Sequence, residues 1–209
     1  NGMHIILDGV FNHVSDDSIY FDRYCKFLPD AAEKYDGKIG AYPYWAYVYD
    51  TMAAEGITQA EAETKAKAHF TAEYGITDYS YTEWFTVSST KTGDTYSYEG
   101  WWGYDSMPVI KSTNGSEYQT GNWAEEIISG SNSVNAYWIG KGMDGWRLDV
   151  ANEVSDETWQ NFRDSVKALD SDAVIIGEIW DDATKYLKGD MYDSVMNYVF
   201  RSAVTSYAM

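Results

Sequence analysis

The feature that most constrains the fold is a strand–helix–strand pattern in which both strands end at an acidic residue. One apolar run ends at Asp149 and the next ends at Glu178. Between them, residues 155–169 begin with a serine and two acids and then place apolar side chains at helical spacing. The right-handed crossover rule makes two such strands parallel, so both carboxylates are predicted to lie at the same edge of one sheet.

Arg147 precedes Asp149 by two residues, and residues two apart on a strand point to the same face. A guanidinium beside a carboxylate keeps it ionised, which suits a nucleophile or an electrostatic stabiliser better than a general acid. Taken alone, the pair could also be a structural salt bridge. The apolar neighbours Ile179 and Trp180 predict a raised pKa for Glu178. Two carboxylates about 5 to 5.5 Å apart in such different surroundings suit glycoside hydrolysis with retention.

Composition narrows the classes of partner. The chain has 15 basic and 33 acidic residues, a net charge of -18, which disfavours nucleic acid as a partner and fits a neutral substrate better. It has no apolar run long enough to span a membrane. Aromatic residues make up 17% of the chain and exceed what a core alone requires. Each ring is therefore a candidate either for stacking on sugars or for filling the core.

The first half of the chain combines a short strand with a long irregular region. The strand covers residues 4–8 and leads into a loop with Asp8, Asn12 and His13, which resembles an active-site rim. A hydrogen-bonded structural histidine is the alternative interpretation of His13. Residues 14–121 are too long for a loop and predict a small domain inserted after the first strand. Its one clear helix is predicted from a capping box at residues 58–61 to residue 74.

An aromatic cluster at residues 99–110 ends this region and could either wall a sugar cleft or seal the insert. Beyond it, helices are predicted near residues 133–139 and 183–187, and a strand is predicted at 193–198. Four strands then alternate with helices, with functional groups at their C-terminal ends. This order predicts an α/β fold that is part of a (β/α)8 TIM barrel. Because four strands cannot close a barrel, the remainder is expected outside this chain.

Three motifs, in this order along the chain, together resemble sequence signatures of the α-amylase family of glycoside hydrolases. They are Asp8-Gly9-Val10-Phe11-Asn12-His13, Gly145-Trp146-Arg147-Leu148-Asp149 and Gly177-Glu178-Ile179-Trp180. The resemblance spans the whole chain and implies strands 3 to 6 of the barrel. Residues 1–13 would be strand 3, residues 14–121 the inserted domain B, and residues 122–209 the continuation of the barrel. It further implies an α-glucan oligo- or polysaccharide as partner, no organic cofactor, and an extracellular enzyme whose targeting segment lies upstream.

The resemblance also implies roles for individual residues. Asp149 matches the nucleophile, Glu178 the general acid/base, and Arg147 the residue that orients the nucleophile and keeps it charged. His13 matches a histidine that hydrogen-bonds the sugar on the non-reducing side of the cut. Asp8 matches a structural acid of the site.

The segment after the nucleophile departs from many α-amylases, which carry Lys-His where this chain has Asn152 and Glu153. It resembles instead the neopullulanase, cyclomaltodextrinase and amylopullulanase branch of the family. Asn152 and Glu153 are then expected to line the reducing-side subsites, with Trp180 as a further substrate-binding residue. The departure weakens the case for the calcium ion common in the family. Asn12 stays a candidate oxygen ligand for it.

The resemblance predicts a retaining α-glucan hydrolase that cleaves α-1,4 bonds, with α-1,6 bonds as a second candidate, in starch, pullulan or maltodextrins. A transglycosylase or an α-glucosidase of the same family is the first alternative, because water and a sugar hydroxyl compete for one intermediate. A catalytically inactive glycan-binding or transporter-associated relative is the alternative from another class, but the chain keeps both acids and the arginine. The family's third catalytic carboxylate lies in a His-Asp pair that cannot be placed in this sequence. Residues 1–209 alone are therefore predicted to be inactive.

Overall fold

The computed structural model describes residues 2–111 and 122–209. Its strands and α-helices in chain order are β1 (Ile6–Gly9), α1 (Ala31–Lys34), α2 (Ala41–Glu55), α3 (Gln59–Tyr74), β2 (Val87–Thr92), β3 (Thr95–Tyr98), α4 (Val134–Gly140), β4 (Gly145–Leu148), α5 (Asp156–Leu169), β5 (Val174–Gly177), β6 (Ser194–Val195) and α6 (Tyr198–Ala208). Single turns of 3₁₀ helix lie at Leu28–Asp30, Ser80–Glu83, Trp101–Gly103, Ala151–Glu153 and Thr184–Tyr186, and a π-helical turn lies at Glu125–Ser129.

The described residues form two compact units. The first, called here the sheet unit, contains residues 2–12 and 122–209, and the second, called the helical unit, is His13–Lys111. The predicted end of the inserted domain at Gly121 lies outside the described residues. Within the described ranges, no helix is long and apolar enough to cross a membrane.

The sheet unit is built on four parallel strands in the order β1-β4-β5-β6. In β4 and β5 the register places Leu148 opposite Gly177, so the residues that follow them, Asp149 and Glu178, leave the sheet side by side. Helix α5 connects these two strands. The predicted parallel strand–helix–strand unit is therefore confirmed.

Helix α5 forms where the sequence predicts it because its start and its buried face are both specified. The hydroxyl of Ser155 accepts a hydrogen bond from the backbone N–H of Thr158, which satisfies one of the free donors of the first turn. Trp159 and Phe162 on the inner face are almost fully buried. The ring of Phe162 lies 5.3 Å from that of Phe11, which follows β1. Burying a side chain of this size contributes about 1.5–3 kcal/mol.

A second connection ties α5 to the chain between β5 and β6. The carboxylate of Asp193 accepts hydrogen bonds from Arg163 Nη1 at 2.8 Å and from Lys167 Nζ at 2.9 Å. The backbone N–H of Ile175 donates to the same carboxylate at 2.9 Å. Asp193 thus links the helix, the strand β5 and the segment that enters β6.

The helical unit contains a helix that the sequence interpretation missed. Helix α3 is confirmed, with the capping box at Thr58 and a left-handed Gly75 at its C-terminal end. Helix α2, however, lies in a region interpreted as having only one clear helix. Its large apolar residues are mostly aromatic and surround the helix instead of forming one stripe, so the helical period is obscured. Tyr44 and Val48 of α2 are buried in the core that it shares with α3.

Candidate active site

The acidic residues at the edge of the sheet are positioned by the backbone hydrogen bonds of the parallel strands. The backbone N–H of Asp149 donates to the carbonyl of Gly9 at 3.0 Å, and that of Glu178 donates to the carbonyl of Leu148 at 2.9 Å. Asp8 on β1 lies opposite Arg147 on β4 in the register. Three carboxylates and one guanidinium therefore leave three adjacent strands at the same edge.

Arg147 joins all three carboxylates through one guanidinium. Its Nη1 lies 2.7 Å from Oδ1 of Asp149 and 2.8 Å from Oδ1 of Asp8, while its Nη2 lies 2.8 Å from Oε1 of Glu178. Burial lowers the pKa of Arg147, but its hydrogen bonds to Asp8 and Asp149 and the nearby negative charges raise that pKa by more. The guanidinium is therefore a fixed positive charge, and its planar fork holds Asp149 and Glu178 in a set orientation.

Glu178 is the most enclosed of the three acids and has several hydrogen-bond donors. The residue is 7% exposed. Its Oε2 accepts from the backbone N–H of Val150 at 3.1 Å, and its Oε1 accepts from the hydroxyl of Tyr198 at 3.3 Å. The side chain of Trp180 also hydrogen-bonds the carboxylate. Together with Arg147, these groups surround Glu178 with donors.

The predicted rise in the pKa of Glu178 is wrong for this structure. Burial does raise the pKa of Glu178, as the sequence interpretation expected. The hydrogen bonds from Val150 and Trp180, the charge of Arg147 and the hydroxyl of Tyr198 all stabilise the anion, and their combined effect lowers the pKa below its usual value. The apolar neighbours in the sequence could not indicate these donors, which come from other segments of the chain.

Val150 has an unusual backbone conformation directly after Asp149. Its φ of 38° and ψ of 46° place this β-branched residue in the left-handed region, at a cost of about 1–3 kcal/mol. A continued parallel ladder would take the Val150 N–H to the carbonyl of Glu178. In the structure that N–H donates to the carboxylate of Glu178 instead. Because of the left-handed turn, the backbone N–H of Val150 donates to the side chain of Glu178 and not to the neighbouring strand.

Sequence interpretation missed both Val150 and Tyr198 as members of the site. Tyr198 begins helix α6, and the side chain of Asn197 caps that helix by accepting from the backbone N–H of Phe200. An asparagine before a helical pattern is a typical cap, so the start of helix α6 at Tyr198 is predictable, whereas the hydrogen bond from Tyr198 to Glu178 is not. A valine carries no sequence signal for a left-handed turn.

The other predicted residues have different surroundings. Trp180 contacts Glu178, as described above, and is 49% exposed. Asn152 and Glu153 lie in the 3₁₀ turn that follows Val150, where Asn152 is exposed. Asn12 is buried in the sheet unit.

His13 belongs to the helical unit, where it is 9% exposed. Its ring is parallel to the indole of Trp101, with a centroid distance of 5.1 Å and an interplanar angle of 12°. The structure therefore gives His13 a fixed ring orientation within that unit.

The described residues do not fit a calcium site made of acidic side chains. Ca²⁺ takes six to eight oxygen ligands, usually with several carboxylates among them. In residues 2–111 and 122–209, no group of three or more His, Cys, Asp or Glu side chains has an arrangement that could hold a metal ion. Among the described residues, Asn12 would therefore need ligands of another kind, such as backbone carbonyls.

A parallel α/β sheet that presents paired carboxylates and an arginine at one edge is the type of active site found in glycoside hydrolases. Residues 1–209 match the family model described as "Alpha amylase, catalytic domain". The chain therefore belongs to the α-amylase catalytic-domain family.

Relatives agree with this assignment. The chain is 40% identical to an amylopullulanase of Thermoanaerobacter thermohydrosulfuricus over 214 residues, covering all of this chain and 12% of that protein. It is 40% identical to neopullulanase 2 of Thermoactinomyces vulgaris, covering 99% of this chain and 26% of that protein. The solved cyclic alpha-maltosyl-(1→6)-maltose hydrolase of Arthrobacter globiformis matches 96% of this chain and 33% of its own, with a TM-score of 0.58 and 25% identity. The chain thus spans a third or less of each of these relatives.

Proposed function

We propose that the protein is a retaining α-glucan hydrolase that cleaves α-1,4 glucosidic bonds, with α-1,6 bonds as a second candidate, in starch, pullulan or maltodextrins. The observation that carries the proposal is the contact of Arg147 with both Asp149 and Glu178 at one edge of the parallel sheet. The names of the similar proteins, amylopullulanase and neopullulanase, support the substrate class.

In the proposed reaction, Asp149 is the nucleophile and Glu178 the acid/base. Asp149 attacks the anomeric carbon while Glu178 gives a proton to the glycosidic oxygen, so the leaving sugar departs as an alcohol and a glycosyl ester forms. Water then attacks the same carbon, Glu178 accepts a proton from that water, and Asp149 is released as a carboxylate. Arg147 orients Asp149 through the Nη1 contact and places a positive charge beside its carboxylate.

The lowered pKa of Glu178 adds a condition to this mechanism, because an acid must hold a proton before it can donate one. A bound sugar would exclude water from the site, which strengthens the effect of burial and raises the pKa of Glu178. A substrate hydroxyl that competes for Arg147 Nη2 would act in the same direction. We propose that Glu178 takes up its proton as the substrate binds.

Further roles follow from the family. His13 is proposed to hydrogen-bond the sugar on the non-reducing side of the cut, Asn152 and Glu153 to line the reducing side, and Trp180 to contact the substrate. Asp8 is proposed to hold Arg147 in place, which its 2.8 Å contact with Nη1 supports.

The fold is proposed to be strands 3 to 6 of a (β/α)8 barrel, with the helical unit as domain B. The parallel order β1-β4-β5-β6 and the acids at the strand ends support this proposal. Residues 1–209 alone are proposed to be inactive, because the third carboxylate of the family is absent from the sequence. An extracellular location and a calcium ion elsewhere in the full-length protein are proposed on the family resemblance.

Two alternatives lead to different experimental results. A transglycosylase or α-glucosidase would form the same intermediate on Asp149 but would pass the sugar to another sugar or release single glucose units. An inactive glycan-binding relative would bind α-glucans without turnover. Asp149→Asn distinguishes an enzyme from an inactive glycan-binding relative. Glucan binding should be retained in both cases, whereas the substitution abolishes turnover only if the protein is an enzyme.

The experiment is to incubate the full-length protein with pullulan and identify the trisaccharide released. Maltotriose would indicate α-1,6 cleavage, and panose would indicate α-1,4 cleavage. The stereochemistry is read by ¹H NMR, in which the first product should be the α-anomer if the configuration is retained. An initial β-anomer, or no turnover of pullulan, starch and maltodextrins, would contradict the proposal.

A further inference from the structure

The helical unit contains three aromatic rings in successive stacking contact, and the third belongs to an exposed tryptophan. The ring of His13 lies 5.1 Å from that of Trp101 at an interplanar angle of 12°. The ring of Trp101 lies 5.0 Å from that of Trp102 at 19°. Trp102, the third of these residues, is 64% exposed.

The backbone of Trp102 is strained, with φ 51° and ψ 26° in the left-handed region. A bulky side chain in this region costs about 1–2 kcal/mol, whereas glycine adopts it freely. The cost is not repaid by burial, because most of the indole faces solvent. A large residue that is both strained and exposed is better explained by a function than by packing.

The turn that carries Trp102 is held by its own hydrogen bonds. The backbone N–H of Gly103 donates to the carbonyl of Gly100 at 2.8 Å, and that of Tyr104 donates to the carbonyl of Trp101 at 3.0 Å. A Cβ on Gly100 would lie 2.3 Å from the carbonyl oxygen of Tyr104, so only glycine allows this close turn. The backbone at Trp102 is thus fixed, and its indole stacks on the ring of Trp101.

We propose that the exposed face of Trp102 is a binding platform for a pyranose ring of an α-glucan. The face of an indole carries partial negative charge, and the C–H groups of a pyranose face carry partial positive charge, so the two surfaces stack. The platform needs no opposite charge on its ligand, which suits a neutral sugar in a chain with a net charge of -18. Tyr104 is 57% exposed, and the side chain of Asp105, which lies 3.9 Å from Nη2 of Arg23, is 70% exposed, so both present polar groups at the surface next to Trp102 in the sequence.

The choice of an α-glucan as the ligand rests on the proposed function, whereas the platform itself rests on the geometry of Trp102. A pre-oriented ring loses little conformational freedom on binding, which favours affinity for a flexible polysaccharide. Trp102 has no place in the proposed chemical steps, so its contribution belongs to substrate capture.

The test is a calorimetric titration of the full-length protein with maltohexaose, in an Asp149→Asn background that prevents turnover. Trp102→Ala should weaken binding about 3- to 10-fold, the range expected for one stacked aromatic contact. Trp102→Phe should recover part of the affinity. Trp138→Ala is the matched control, because Trp138 is 42% exposed in the sheet unit and should leave the affinity unchanged.

Trp102→Leu separates sugar binding from a structural role. Leucine still covers the ring of Trp101 but offers no aromatic face, so it should bind as weakly as Trp102→Ala. Full affinity in Trp102→Leu or in Trp102→Ala would overturn the proposal. The proposal would also be overturned if the Trp102 variants changed the molecular mass measured by light scattering and left the affinity for maltohexaose unchanged. That result would make the Trp102 surface an interface between two copies of the chain.

The two proposals fail in different ways. Loss of the proposed function would appear as no hydrolysis by the protein with Asp149 intact, while the effect of Trp102 on maltohexaose binding persisted. Hydrolysis with no effect of Trp102 on binding would leave the proposed function standing and remove the platform.

Discussion

Nη2 of Arg147 lies 2.8 Å from Oε1 of Glu178, while Nη1 of the same side chain lies 2.7 Å from Oδ1 of Asp149. A single cation therefore links the proposed nucleophile to the proposed acid/base. Their separation and orientation both depend on the planar geometry of this guanidinium.

Arg147→Lys should lower kcat/KM for maltodextrins by about 100-fold or more, because one ammonium group cannot replace a planar fork that spans two carboxylates. The measurement is steady-state hydrolysis by the full-length protein. Arg163→Lys is the control, since Arg163 contacts Asp193 and not the two acids. Equal effects of the two substitutions would show that Arg147 contributes only stability.

The backbone N–H of Val150 should influence the pKa of Glu178. Replacing the Val150 amide by an ester, with 2-hydroxy-3-methylbutanoic acid at that position, removes the donor and keeps the side chain. Because a donor to the anion lowers the pKa of Glu178, its removal should raise that pKa. Glu178 then stays protonated to higher pH, and the basic limb of the pH profile of kcat/KM should move up by about one pH unit.

An ester at Ile175 provides a matched control for the ester at Val150. The backbone N–H of Ile175 also donates to a carboxylate, that of Asp193, at 2.9 Å. Its removal should reduce stability and leave the pH profile of activity in place. A basic limb that does not move in the Val150 ester would mean that this hydrogen bond does not affect the acid.

Tyr198→Phe should produce a smaller change in the same direction. The hydroxyl of Tyr198 lies 3.3 Å from Oε1 of Glu178, so it is a weaker donor than Arg147 or Val150. We expect kcat/KM to fall by less than about 10-fold and the basic limb to rise by less than it does in the Val150 ester. The control is Tyr207→Phe, because Tyr207 is 95% exposed on the same helix. A loss as large as that of Arg147→Lys would show a more direct role for Tyr198.

Asp193→Asn should destabilise the protein at neutral pH by about 1–2 kcal/mol, because it weakens charge-assisted bonds that are partly screened by water. Burial raises the pKa of Asp193, but its bonds to Lys167, Arg163 and the Ile175 N–H lower that pKa by more. Ionised Asp193 therefore stabilises the fold above its unfolded pKa of about 3.9, and this contribution is lost as the pH falls through the lower folded pKa.

Thermal unfolding of the Asp193→Asn variant at several pH values checks this sign. The difference in Tm from the parent protein should be largest near neutral pH and should shrink in strong acid. Asp172→Asn, an exposed substitution in the segment before β5, serves as the control. A difference that stays constant down to strongly acidic pH would contradict the assignment to the charge of Asp193.

The sequence predicts the sheet and its acids well because simple rules determine both. Two apolar runs separated by a capped amphipathic helix predict two parallel strands. Parallel strands place Asp149 and Glu178 at the same edge of the sheet. The position of Arg147 on the same face as Asp149 then follows, because the two residues are two apart on one strand. Each inference concerns neighbours in the sequence or a rule of topology.

The sequence fails where an effect depends on groups from distant segments. The pKa of Glu178 depends on Val150 and Tyr198, which lie 28 and 20 residues away in the sequence. No sequence pattern indicates that either residue donates a hydrogen bond to Glu178. The left-handed conformation of Trp102 cannot be predicted from the sequence either, because it is imposed by the folded turn at residues 101–103. Helix α2 was missed for a related reason, since aromatic residues on all its sides conceal the period of the helix.

The proposed chemistry depends most directly on a covalent bond to Asp149. Incubating the full-length protein with a 5-fluoro-α-glucosyl fluoride should trap the glycosyl ester. The fluorine at C5 slows both formation and hydrolysis of the ester through their oxocarbenium-like transition states, while the good fluoride leaving group keeps formation faster than hydrolysis. Peptide mass spectrometry should then locate the added sugar on Asp149, and Asp149→Asn should carry no label. A label on another carboxylate, or turnover of the reagent with release of the β-anomer and no labelled peptide, would contradict a retaining mechanism with Asp149 as its nucleophile.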